Sequence, residues 1–455
     1  MERAMVIIWG SRGDVQPALA LALRLKQMGR SVLMFATPPA TDMVKAKGIE
    51  CVEARENVEK VIGELFGKID PTDRSICGIV KQLKTASAFQ QSEEYTGNQA
   101  ADMSCAWAEA QKFKPDVILA PNIMYGPYVS IAEALQVPVV TFDLQLNYPT
   151  SELPYMKMEV DKAPKCCYRC IWRLAGFAIS KKERPNYIKM RETCGLPSNT
   201  HVDGSSIKIF PHDLPQICAC SPSFISSPHD WPLTKYMSGW WFFPPTEGYT
   251  PPPQLEAFLQ ANRPVYIGFG SMKGNPDFCR KCSTFAIKGL MLAGQKGVLL
   301  GGWAGLSREA LDMSSDEGRQ LHAWAEENVA EVDSCPHDWL FPQCAVVIHH
   351  GGVGTLAAGI RAGCPTIVCA YQGDQPFHGS IAQAKGIGKY LGMVGTIPAE
   401  KLADAIKEVV ADKAMAATVK AMGEMVRAED GPGNAIAFMD RMATSFQYPW
   451  PTKRQ

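Results

Sequence analysis

A parallel α/β architecture in two similar halves is what this sequence predicts, and three features carry that expectation. Short apolar runs sized for strands buried on both faces recur along the chain, helical patterns lie between them, and one proline-rich segment breaks the rhythm near the middle. Met5-Val6-Ile7-Ile8-Trp9 reads as the first strand, followed by a glycine turn, a helix from about Val15 to Met28 ended by Gly29, and a second strand from Ser31 to Ala36. The unit repeats with a strand from Asp116 to Ala120, a helix from Tyr128 to Leu135 and a strand from Val137 to Phe142. Between Gly239 and Pro253 aromatic residues give way to Pro244-Pro245 and Pro251-Pro252-Pro253, a composition suited to a stiff, extended linker. Strand patterns then restart at Val265–Phe269, Gly297–Leu300, Ala345–Ile348 and Thr366–Cys369. The expected organisation is therefore two Rossmann-like domains, residues 1–240 and 255–455, joined by a linker over residues 241–254.

Composition narrows the function before any motif is read. The 455 residues carry 46 basic and 46 acidic side chains, a net charge of zero, with no basic block of the kind that neutralises a nucleic-acid backbone. No nucleic-acid partner is expected. Hydrophobic residues make up 46% of the chain, enough for a sizeable core, yet no run of about 18 apolar residues suggests a membrane span. The apolar stretch from Met5 to Trp9 is too short and too soon interrupted for a signal peptide, so a cytoplasmic protein is expected. Fifteen cysteines, an odd number scattered through a long chain, read as reduced thiols. Cys166, Cys167, Cys170, Cys194, Cys218 and Cys220 are too irregularly spaced for zinc, and no metal site is expected.

The most informative stretch follows the strand ending at Ile348. His349-His350-Gly351-Gly352-Val353-Gly354-Thr355 leads into a helix expected from Leu356 to Ala362, with Gly363 at its end and Pro365 beyond. A glycine turn at a helix N-terminus offers free amides and the positive end of the dipole to a phosphate, and His350 and Thr355 add side-chain donors. The plainer reading is a tight turn whose glycines serve backbone geometry alone. One strand later come Gln372-Gly373-Asp374-Gln375-Pro376-Phe377-His378. Loops at neighbouring strand ends share a crevice, so Asp374 and Gln375 suit the hydroxyls of a sugar, or else Asp374 caps the next helix. Asp14, after Gly10-Ser11-Arg12-Gly13, is either a helix cap or a general base for an acceptor hydroxyl.

These blocks resemble the GT-B glycosyltransferases, in particular the sterol glucosyltransferase and glycopeptide-antibiotic glycosyltransferase branch. The resemblance also rests on Ser221-Pro222 through Asp230-Trp231-Pro232, Val265 to Met272, Gly302-Trp303-Ala304-Gly305-Leu306 and Pro336 to Pro342, in the family's order over most of the chain. It implies two Rossmann-like domains facing across a cleft, with the last helix able to pack back on the first domain. It implies further that His350 contacts the α-phosphate of a UDP-sugar and that Gly352, Gly354 and Thr355 cradle the β-phosphate, with Val353 among the donor-binding residues. Asp374 and Gln375 would hold the sugar, Ser271 would stand on the phosphate side, and Trp303 with the backbone from Val332 to Cys335 would frame the base. Ser11, Arg12 and Gly13 are further phosphate-side candidates, and Asp14 matches the acceptor base of an inverting reaction.

No cofactor is implied, the donor being a co-substrate. The sequence departs from the branch's pattern at Val353, Leu356 and His378, and Ala358 lacks the acid that plant-type enzymes place on the ribose. The implied acceptor is a lipophilic alcohol such as a sterol, and the implied sugar a hexose, most simply glucose. A polyketide or peptide acceptor with a UDP- or TDP-sugar is the alternative. Residues 65–105 and 151–205, with Phe66, Phe89, Tyr155, Met156, Met158, Trp172 and Phe177, read either as the acceptor pocket or as ordinary half-buried helices. Membrane contact is expected to be peripheral at most. From another class, a non-catalytic nucleotide-sugar-binding protein fits if Asp14 only caps. Nicotinamide chemistry and phosphoryl transfer lack their glycine signatures, Gly-x-Gly-x-x-Gly after a strand and Gly-x-x-x-x-Gly-Lys-Ser/Thr.

Overall fold

The computed structural model describes residues 1–67, 84–85, 88–89, 91–122, 126–160, 162–198, 214–244, 248–270, 276–302 and 305–447. Among them the first seven strands are β1 (Arg3–Ile7), β2 (Ser31–Ala36), β3 (Glu50–Glu53), β4 (Val117–Pro121), β5 (Val139–Asp143), β6 (Gln216–Cys218) and β7 (Lys235–Met237). They form one sheet in the order β3-β2-β1-β4-β5-β6-β7. The other six are β8 (Val265–Gly268), β9 (Gly297–Leu300), β10 (Val329–Val332), β11 (Val346–His349), β12 (Thr366–Ala370) and β13 (Gly388–Met393). Their order is β10-β9-β8-β11-β12-β13. Every pairing in both sheets is parallel, which is the α/β class expected from the apolar runs.

Sequence order reverses beside the first strand of each sheet, between β1 and β4 and between β8 and β11. At such a switch point the loops leaving the two strands diverge to opposite faces and open a crevice at their carboxyl ends. The turn Gly10–Asp14 follows β1, and Phe269-Gly270 and His350–Thr355 follow β8 and β11.

Two helix starts fall three residues earlier than expected. The helix Arg12–Gln27 begins before Val15 because Ser11 and Asp14 form a capping box. The helix Val353–Ala362 begins before Leu356, directly after Gly352. Val353, Gly354 and Thr355 therefore sit in its first turn, where amides have no intrahelical acceptor.

The C-terminal helix Gly431–Thr444 lies against the first sheet. Ala435, Ile436, Phe438 and Met439 share one apolar cluster with Val15, Leu19 and Phe142. Arg30 holds Asp440 with two guanidinium bonds of 2.7 and 2.5 Å, and Glu429 Oε1 accepts from the hydroxyls of Ser221 and Ser223 at 2.7 Å each. The aromatic segment before the prolines is packed rather than free: Trp240 and Trp241 are both buried, and a helix begins at Pro253.

A further apolar cluster joins the two halves, setting Tyr155, Met156 and Trp172 against Leu356, Ile360 and Phe377. Trp172 donates to Leu153 O at 3.1 Å and meets the Tyr155 ring edge-on. These three residues are core, and their reading as pocket walls gives way to packing. Met158 packs partly buried on the same cluster, Phe177 is exposed, and Phe89 meets the Tyr95 ring at a tilt of 55°. The Phe66 side chain lies outside the described residues.

One ion pair inside the first half is fully desolvated. Arg191 on the helix Tyr168–Thr193 holds Glu133 of the helix Val129–Leu135 through bonds of 2.6 and 3.1 Å, with side chains 0% and 4% exposed. Glu133→Ala strands the guanidinium in the core and is expected to cost about 3–5 kcal/mol. A clear fall in the chemical-denaturation midpoint checks this, and an unchanged midpoint contradicts it.

Candidate active site

The first wall of the crevice is the turn after β1. Gly10 takes φ +136°, a conformation that side chains rarely adopt, and a Cβ there would collide with the Asp14 carboxyl. Thr37 pins this glycine from β2's end, its Oγ1 accepting from Gly10 N at 3.1 Å and donating to Gly10 O at 3.0 Å. Asp14 Oδ2 accepts from Ser11 N at 2.8 Å and from Ser11 Oγ at 3.2 Å, while Ser11 Oγ accepts from Gly13 N at 3.3 Å. One carboxyl oxygen thus serves the helix start. Oδ1 has no hydrogen-bond partner among the described residues. Capping and a chemical role are therefore compatible in this side chain.

Asp14 is the third residue of its helix, and Ser11 is the cap. Burial pushes the Asp14 carboxyl up to about 6, the Ser11 bonds oppose the rise, and the charge of Asp374 adds to it. Asp374 belongs to the other half, so the two carboxyls face one cleft. Arg12 is exposed, donates to Gln16 at 3.2 Å, and its charge reaches His337, which burial first and Arg12 second hold down to about 4.

The opposite wall is the turn after β11. His349 accepts from Gly351 N at Nδ1 (3.0 Å), so its Nε2 carries the proton and donates to Thr366 Oγ1 at 2.6 Å, and Thr366 Oγ1 donates to Val347 O at 3.1 Å. This neutral histidine fixes the turn. Its neighbour His350 is buried, with Nδ1 unpartnered among the described residues. Burial and the charges of His337 and His378 lower it to about 4. Its ring fills the space that a Cβ on Gly270 would reach, 2.9 Å from Cε1, and blocks a Cβ on Gly352 as well. Both glycines are explained by this one ring.

Gly352 starts the helix Val353–Ala362 without a side-chain cap, and the first amide returned to it is that of Leu356 at 3.1 Å. The amides of Val353, Gly354 and Thr355 have no acceptor among the described residues, and the space around Gly354 is open. Three free amides at the positive end of a helix are an anion site that needs no lysine.

Beyond β12 the helix Gln375–Ala384 starts with Asp374 at its cap position, yet the Asp374 side chain makes no capping bond. The capping alternative for this carboxylate therefore fails. It lies 3.7 Å from His378 Nδ1, which also donates to Gly351 O at 3.1 Å, so His378 couples the two loops where the family pattern has an aromatic ring. Gln375 is buried and its Oε1 accepts from Tyr371 N at 2.7 Å and Gln372 N at 2.9 Å. Its oxygen shapes the loop.

The structure thus brings Ser11, Arg12, Gly13 and Asp14 to one side of the cleft and His350, Gly352, Val353, Gly354, Thr355, Asp374 and Gln375 to the other. Ser271 and Trp303 lie outside the described residues. Gly10, Gly270 and His337 stand within the family-like blocks without a role of their own there, and Thr37 lies outside them. A glycine beside a candidate acid, and a second glycine after the first strand of the second half, were visible signals; Thr37 gave none, since its partner is 27 residues away.

Two family models match the chain: the glycosyltransferase family 28 N-terminal domain over residues 4–154, and the C-terminal domain of the erythromycin biosynthesis protein CIII type over residues 303–440. Sterol 3-beta-glucosyltransferase UGT80A2 of Arabidopsis thaliana is 30% identical over 98% of this chain and 66% of its own length. The sterol 3-beta-glucosyltransferase of Saccharomyces cerevisiae is 27% identical over 94% of this chain and 34% of its own. The chain thus spans just under two thirds of the plant relative and about a third of the yeast one. Among solved structures, the kitacinnamycin glycotransferase superposes with a TM-score of 0.65 at 17% identity, covering 97% of this chain and 98% of that one. The calicheamicin glycosyltransferase CalG4 gives 0.63 at 17%, covering 97% and 99%. At such identities these structures establish the shared fold.

Proposed function

We infer, since this chain belongs to the GT-B glycosyltransferases and joins a family 28 N-terminal domain to a CIII-type C-terminal domain, that it transfers a hexose from a UDP-sugar to the hydroxyl of a lipophilic acceptor such as a sterol. The observation that carries this reading is the pair of facing groups: a half-buried carboxyl with one oxygen unused, opposite three free helix amides and an unpartnered buried histidine. The sterol relatives support the acceptor class, and glucose is the simplest sugar consistent with their names.

The geometry suits an inverting displacement. The pyrophosphate sits on the amides of Val353, Gly354 and Thr355, with His350 donating to one of its oxygens. Asp374 orients the sugar hydroxyls. The acceptor oxygen attacks the anomeric carbon as Asp14 takes its proton, the carbon–oxygen bond to UDP breaks, and the electron pair leaves with the β-phosphate. Negative charge grows where the amides and the helix dipole already point. Positive charge on the anomeric carbon lies between two carboxylates.

A base raised to about 6 must lose its proton to act. The kcat/KM for transfer is expected to rise about tenfold per pH unit below about 6 and to level off above it. A profile flat down to pH 4.5 would remove Asp14 as the base. The general test is incubation of the protein with labelled UDP-glucose and a panel of sterol, flavonoid and macrolide acceptors, read by mass spectrometry. Absence of any glycoside would overturn the reading.

A further inference from the structure

A second carboxyl stands at the same edge of the first sheet and has no role in the mechanism above. Glu56 lies three residues past the end of β3, on the edge that also carries the turn of Asp14. It is 5% exposed, and its Oε2 has no hydrogen-bond partner among the described residues. Asp102 accepts from the amides of Arg55 and Glu56 at 2.7 and 3.4 Å, and burial pushes the Glu56 carboxyl up to about 7, with Asn98 opposing the rise. What remains is one oxygen with nothing to bind, a condition that buried polar atoms rarely show without cause.

That oxygen belongs to a residue bordering two cavities. One, of about 20 Å³, is large enough for a water and is bounded by Trp9, Gln99, Asp102 and Asn186; the other, of about 370 Å³, is bounded by the apolar Val61 and Phe89, by Tyr95, and by the charged Lys60, Glu64 and Glu94. The larger is the size of a small-molecule site. Its polar side is acceptor-rich: Glu56, Glu64 and Glu94 line it, and Lys60, the cation among them, is taken by Glu94 at 2.6 Å. An anion is repelled there and an apolar end leaves Oε2 orphaned. A hydrogen-bond donor satisfies it.

We propose that Glu56 forms the far end of the acceptor pocket and binds a second donor group of the acceptor, a hydroxyl or an amine, remote from the oxygen that is glycosylated. The proposal rests on the glycosyltransferase reading for its first end, Asp14. Because the sheet order is β3-β2-β1, the two ends are set apart by two strand spacings, about 10 Å, which matches the length of a fused-ring skeleton.

The test is calorimetric titration of the full chain with three probes: a 3-hydroxysteroid bare at carbon 17, its 3,17-dihydroxy counterpart and its 17-amino counterpart. The polar-ended probes are expected to bind about tenfold tighter than the bare one. Glu56→Leu brings all three to equal affinity, and Glu56→Gln keeps the preference for the hydroxyl while losing that for the amine. UDP affinity and the melting temperature report the fold of each variant. Equal binding of the three probes to the unmodified chain, binding of none, or a preference unchanged in Glu56→Leu overturns the proposal. Polar-end preference without transfer from any UDP-sugar overturns the glycosyltransferase reading instead, whereas transfer without preference overturns this site alone.

Discussion

Asp14→Asn is expected to lower transfer by about 10²–10⁴-fold while leaving UDP affinity within about twofold. The substitution is close to isosteric, and the amide oxygen can still accept from Ser11 N, so the capping box survives. What is lost is the proton acceptor. Product formation by mass spectrometry and UDP binding by calorimetry separate the two effects. Near-normal turnover would return Asp14 to a purely structural role. A stability measurement gives an independent check of the electrostatics. The folded-state carboxyl sits near 6 and the unfolded one near 3.8, so between these values the folded state binds more protons, and stability falls as pH rises through that window. Asparagine carries no such cost. The variant should therefore be more stable than the parent at pH 8, with the advantage fading toward pH 4.

His350→Ala is expected to weaken UDP binding about 10–100-fold, in keeping with the loss of about 1.5–3 kcal/mol for a hydrogen bond to a charged group. Burial keeps this histidine neutral above about 4, so it offers one N–H and no net charge. Turnover falls too, since the leaving pyrophosphate as a whole gains negative charge as the sugar departs. Unchanged UDP affinity, with the melting temperature preserved, would contradict the phosphate contact. His350→Gln, which keeps a donor on a shorter reach, should lie between the parent and the alanine variant.

Both experiments bear on side chains that the sequence pointed to, and the reason is physical. Buried parallel strands demand unbroken apolar runs, and every one of these produced a strand in the structure at the expected place, from Met5 onward to Thr366. A glycine turn before a helix is equally legible, because only a few residue types suit it. Helix starts were less so: Ser11 with Asp14 and Gly352 with the following turn extend their helices backward through hydrogen bonds that periodicity does not register. Long-range tertiary partners were not legible at all. Nothing local marks Thr37 as the support of Gly10, or Tyr155 and Trp172 as core shared by the two halves.

The placement of Gly431–Thr444 has a practical bearing on how this chain can be divided. Phe438 stacks on Tyr236, and Arg30 closes on Asp440, so the surface that completes the first sheet comes from a stretch some two hundred residues further along the chain. A cut near residue 250 would yield an upstream fragment with an uncovered apolar face, prone to aggregate, and a downstream fragment carrying an amphipathic helix with nothing beneath it. Chimeras that exchange acceptor preference should therefore move the first sheet together with the terminal helix, as one graft from two stretches of sequence.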